Sequence, residues 1–108
     1  SITKICCGCH EEPIAMRLQN GPKSVFHACP EYDKKYHGEK GCPNRVSTEI
    51  VEQILDILGE KIEEAEQKGE EINLTNYRFT YKMVECVVLS HSPFSLKISL
   101  KNRRAFLH

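Results

Sequence analysis

The sequence has no tryptophan, only four phenylalanines and four tyrosines, and no excess of either charge sign, 15 Lys and Arg balancing 15 Asp and Glu. With so few large aromatics, a chain of 108 residues must build its core from small aliphatic side chains. At this size folding removes only about two-thirds of the unfolded surface from water. Long apolar runs are missing too. No stretch approaches the roughly 18–20 residues that cross a bilayer, and Ser1-Ile2-Thr3-Lys4-Ile5 is no apolar signal core. The expectation is a cytoplasmic protein. No internal repeat, low-complexity tract or long linker divides the chain. Neither His-Glu-x-x-His nor His-x-Glu with Pro-Cys-x-x-Cys occurs, which removes the familiar zinc-protease and deaminase patterns. A non-enzymatic protein is expected.

Against these absences stand six cysteines. In a reducing compartment, clustered cysteines more often hold metal than form disulfides. Zinc takes four soft or borderline ligands in a tetrahedron, commonly as two pairs from two turns. Cys6 and Cys9, in Cys6-Cys7-Gly8-Cys9, have the gap of a knuckle. Cys29 and Cys42 supply a looser second pair, each followed by Pro, which stiffens the exit from the ligand position. The expected ligands of one structural zinc are therefore Cys6, Cys9, Cys29 and Cys42. Cys7 is an alternative to Cys6, and His10 or His37 can replace a sulfur. Cys86, among Val84, Val87, Val88 and Leu89, reads as a buried core thiol.

The pattern of elements predicts an α+β fold, a single compact domain with a zinc-ribbon-like finger lobe over 1–45 and a helix plus β-hairpin lobe over 46–108. Residues 14–18 and 23–28 read as two short strands joined at Asn20-Gly21, a hairpin signal. Ser47 or Thr48 can cap a helix whose apolar stripe is Ile50, Ile54, Ile57/Leu58, Ile62 and Ala65, with Gly69 as its stop. Gly59, in the middle of that helix, reads as a point of close packing. Asn76 to Leu89 is β-like, Ser90-His91-Ser92-Pro93 is a turn, and Phe94, Leu96, Ile98 and Leu100 alternate with polar residues, the pattern of a half-buried strand.

Charge is distributed in blocks. Residues 1–45 carry seven Lys and Arg against five Asp and Glu; residues 46–71 carry two against nine; residues 72–108 carry six against one. Such asymmetry points to a macromolecular partner. Glu60, Glu63, Glu64 and Glu66 on the helix suit a basic protein surface. Lys97, Lys101, Arg103 and Arg104, with Tyr77, Phe79 and Tyr81 on a neighbouring strand, suggest a basic, aromatic-bearing sheet for nucleic acid. The expectation is a protein-binding monomer or weak dimer, with nucleic-acid binding as the alternative.

The run Cys7-Gly8-Cys9, then Asn20-Gly21-Pro22-Lys23-Ser24-Val25-Phe26-His27-Ala28-Cys29-Pro30, then Gly41-Cys42 resembles the small zinc fingers at the C-termini of type IA topoisomerases and of the GRF family. That resemblance implies contact with single-stranded nucleic acid, with Lys23 on phosphate and Phe26 as a stacking ring. In size and style the whole chain also resembles short zinc proteins of phages and mobile elements of Gram-positive bacteria. Some of these inhibit host nucleases, which implies an anti-CRISPR role against a Cas9-type enzyme.

Overall fold

Residues 2–33 and 41–107 are described by the computed structural model; His37 falls outside them. The fold is α+β, with two sheets and one helix. The strands are β1 (Ile2–Cys7), β2 (Ile14–Ala15), β3 (Arg17–Asn20), β4 (Val25–Ala28), β5 (Arg45–Ser47), β6 (Arg78–Tyr81), β7 (Val84–His91) and β8 (Ser95–Asn102); the helix α1 is Thr48–Gln67. The larger sheet has the order β2-β1-β8-β7-β6 and the smaller β3-β4-β5.

The larger sheet begins with a pairing that local pattern does not signal. β1 runs parallel to β8, with Ile5 opposite Ile98 and Cys7 opposite Leu100. Thus the first strand, from the segment expected to be a finger lobe, is hydrogen-bonded to the last. Cys6 and Cys7 end that strand, and the turn expected over Cys6–Cys9 starts only at Gly8. The chain then changes sheets across one residue, Met16, whose N–H donates to the Ile5 carbonyl. The expected hairpin follows as β3 and β4, with Gln19 opposite Phe26. Its turn is closed by the Gly21 N–H on the Ser24 carbonyl at 2.8 Å. Gly21 is required here, since a Cβ would sit 2.8 Å from a Phe26 ring carbon.

Ser47 caps α1, its Oγ accepting from the Ile50 N–H. Gly69 ends it in the left-handed region at φ +68, with the Gly69 N–H on Glu66 and the Glu70 N–H on the Ala65 carbonyl, the usual closure of a helix C-terminus. Val51, Ile54, Leu58 and Ala65 face inward. The first three join Leu74, Val84, Cys86, Val88, Ile98 and Leu100 in the core between helix and sheet. Gly59 corrects the reading of close packing: a Cβ there meets nothing within 4 Å.

The stretch 76–89 contains a turn that its composition hides. β6 and β7 are joined through Lys82 and Met83, at φ 46 and φ 69. Two consecutive left-handed residues match the twist of a tight hairpin, a role usually given to Asn-Gly. Strand alternation then separates the groups expected to form a basic aromatic sheet. Tyr77, Phe79 and Tyr81 pack against the core under α1. Lys97 and Lys101 alternate with the buried Ile98 and Leu100, so they project from the opposite face. No helix among the described residues is long and apolar enough to cross a membrane.

Candidate metal centre

Four chain segments meet where β1 ends. Cys7 comes from the last position of β1, His10 from the turn after it, Cys29 from the residue following β4, and Cys42 from the approach to β5. Their ligand atoms all lie within 4.8 Å of one another. The Cys7 and Cys42 sulfurs are 3.8 Å apart. That matches the edge of a tetrahedron with metal–sulfur bonds of about 2.3 Å, roughly 3.8 Å. His10 Nε2 is 3.3 Å from Cys29 Sγ. Cys7 and Cys29 are buried, and Cys42 is half-buried. These residues can hold a metal ion.

The thiol electrostatics fit a cation at this point. Burial alone would push the Cys7 thiol up. Hydrogen bonds from the Asn44 side chain, the Cys9 backbone, Cys29 and Cys42 outweigh it and hold Cys7 below its ordinary value. Burial pushes Cys29 up to about 12, and the neighbouring Cys7 and Cys42 add to the rise. Cys42 is raised by burial and by Cys7. One favoured thiolate among reluctant neighbours is the state a metal resolves, since a coordinating thiol is deprotonated outright.

Asn44 is the residue that sequence reasoning passed over. It is 1 % exposed, and both its amide nitrogen and its amide oxygen are hydrogen-bonded. Its Nδ2 donates to Cys7 Sγ at 3.0 Å and to the Leu100 carbonyl at 2.8 Å, while its Oδ1 accepts from the Asn102 N–H at 2.8 Å. One amide thus orients a ligand sulfur and pins the approach to β5 onto β8. The only sequence signal was its place two residues after Cys42, directly behind Pro43.

Of the residues expected as ligands, Cys29 and Cys42 lie in the cluster. Cys9 stands beside it: burial raises its thiol most, then proximity to Cys7 and Cys42. Cys6 neighbours Cys7 in an extended strand, so its side chain leaves by the other face. There it is buried, its thiol raised by that burial against the pull of Lys97 and Lys4. Cys7 and His10, held as alternatives in the sequence, occupy the cluster.

No family model, curated protein or solved structure matches this chain. The remaining expected contact residues are scattered over the surface. Glu60, Glu63, Glu64 and Glu66 are exposed on α1. Lys23 and Arg104 line one cleft; Arg103, also exposed, begins the 3-10 turn after β8. Cys86 is buried among core residues, and that burial pushes its thiol up to about 12.

Proposed function

We propose that this protein is a zinc-stapled recognition module without catalytic activity. The observation that carries the reading is the convergence of Cys7, His10, Cys29 and Cys42, with Cys9 against the same sulfurs. Thiolate and imidazole donors favour zinc over hard cations. A protein-filled tetrahedron is the mark of a structural site, since a catalytic zinc keeps one position for water. Here the ion would join β1, in the larger sheet, to the ends of β4 and β5, in the smaller.

Metal analysis and cobalt substitution test it. One equivalent of zinc per chain is expected, and a cobalt(II) form with thiolate charge-transfer bands and tetrahedral d–d bands. Cys7→Ser and Cys42→Ser lose that spectrum, whereas Cys6→Ser keeps it. Comparing His10→Ala with Cys9→Ser identifies the fourth donor. A protein that binds no metal stoichiometrically, and melts identically before and after chelation, ends the proposal.

For the partner, the exposed carboxylates of α1 support a basic protein surface, such as the nucleic-acid channel of a nuclease. Among the described residues none of Glu60, Glu63, Glu64 and Glu66 is ion-paired. Their combined change to Lys should abolish binding to such a partner; binding that survives it would remove the electrostatic basis of the idea.

A further inference from the structure

At the start of α1 the fold gathers positive charge from four separate segments. Lys23 lies in the β3–β4 turn, Arg45 begins β5, Lys82 sits in the β6–β7 turn, and Arg104 follows β8. All four line one open cleft of about 670 Å³, and no Asp or Glu is among its lining residues. None of the four is paired with a carboxylate among the described residues. Glu49, in the first turn of α1, is exposed and outside the lining.

We infer that this cleft binds clustered phosphate groups, two or three joined together, through Lys23, Arg45, Lys82 and Arg104. Four like charges from distant parts of the chain repel one another, and an anion between them reverses the sign of every interaction. The volume falls in the range of small-molecule sites, roughly 300–1,000 Å³, far more than a single phosphate fills. Ser47 adds a hydroxyl at the same wall.

The geometry also decides which part of a nucleotide-like ligand is read. Phe26 lines the cleft, but one edge of its ring lies close to Gly21 and the ring carries the Arg45 guanidinium 5.8 Å from its centroid. The ring therefore holds an arginine in place and is no free platform for a base. Lys82 is similarly set, its Nζ donating to Gln53 Oε1 at 3.2 Å and lying 5.3 Å over the Tyr81 ring. Both cations are held by neutral partners, and their charge stays available. Recognition falls on the phosphates and is independent of base identity. The source is either a free polyphosphate or the backbone of a nucleic acid.

The test uses the metal-loaded protein of 108 residues with two probes, inorganic tripolyphosphate and labelled oligothymidylate, by calorimetry and anisotropy across a salt series. Binding of at least one probe is expected. The combined Lys23→Gln and Arg104→Gln variant should weaken it at least about tenfold, the loss expected from one charge-assisted contact. Arg103→Gln, one residue away but outside the cleft, should change it less than about twofold by the same arithmetic. For the oligonucleotide, log K should fall against log salt with a slope of about −0.7 per phosphate neutralised. Tripolyphosphate binding alone assigns the cleft to a small ligand, and oligonucleotide binding to a backbone. No saturable binding of either probe at low salt overturns the inference, as does binding that the double variant leaves unchanged. Metal content and melting are read on the same samples, so failure of the zinc staple is seen separately.

Discussion

Between α1 and the larger sheet, Val51, Ile54, Leu58, Val84, Val88, Ile98 and Leu100 are each at most 3 % exposed. The smaller sheet puts only Val46 into that class, with Ala28 at 6 %, and leaves Leu18 and Val25 63 % and 39 % exposed. The first region can be held by burial of apolar area, at about 25 cal/mol per Å². The second cannot. Its three short strands need another anchor, and Cys29, Cys42 and Asn44 provide attachment points at the ends of β4 and β5. The comparison teaches that one small domain can divide its stability between a greasy body and a chemically pinned corner, joined at the end of β1.

Metal removal tests this division most severely. Structural zinc contributes order 10 kcal/mol in finger peptides, comparable to the whole stability of a domain. Chelation should collapse the cooperative melt and erase amide-exchange protection in β4 and β5 first. Protection in β7 and β8 should outlast it. Equal loss in both regions would show that the body also depends on the ion, and the comparison would break.

Next in size comes a cut inside the body. Ile54, 0 % exposed, belongs to the apolar core, which includes none of Cys7, His10, Cys29 and Cys42. Ile54→Ala should cost about 2–5 kcal/mol, the usual range for a buried aliphatic truncation, seen as a lower denaturation midpoint. Metal stoichiometry and the cobalt spectrum should stay intact. A change in either would mean that the two regions are not separable.

Asn44 stands between them, and its replacement should register in both. Asn44→Ala removes the acceptor of the half-buried Asn102 N–H and one of two donors on the Leu100 carbonyl, which keeps the Gly8 N–H; one unsatisfied buried group costs about 1–3 kcal/mol. It also takes the hydrogen bond from Cys7 Sγ. Loss of such a supporting bond typically lowers metal affinity about 10- to 100-fold. Competition with a chelator of known affinity measures the second effect, and urea unfolding of the metal-saturated protein the first. An affinity unchanged by the variant would reduce Asn44 to a structural tie.

Much of the body was legible because its signals are local. The stripe through Ile54 and Leu58, the Ser47 cap, the Gly69 stop and the alternation from Leu96 to Leu100 each follow from nearest neighbours along a helix or strand. The parallel pairing of β1 with β8 was not, since it joins residues more than ninety positions apart and leaves no periodic trace in Ile2–Cys7. The same strand explains the site. Knuckle spacing favours Cys6 and Cys9, but once Cys6 and Cys7 lie in a strand they must face opposite ways, and only Cys7 turns toward Cys29 and Cys42. The Lys82-Met83 turn was hidden for a different reason: neither residue prefers the left-handed conformation, so composition gave no cue.

The smallest effect sharpens the body's side of the comparison from the surface of α1. Gly59 is exposed in mid-helix, and a Cβ would meet no atom within 4 Å. Nothing in the packing therefore requires glycine. It costs α1 about 1 kcal/mol relative to alanine, through the extra freedom it gives the unfolded chain. Gly59→Ala should raise the unfolding free energy by roughly 0.5–1 kcal/mol, a melting shift of about 2–8 °C at this chain length. Because a Cβ at Gly59 touches none of Cys7, His10, Cys29 and Cys42, the shift should be the same with zinc or cobalt bound, and metal affinity should not move. A destabilising result would mean that this face of α1 is covered in solution, and would direct attention to the neighbouring Glu60 and Glu63 as part of an interface.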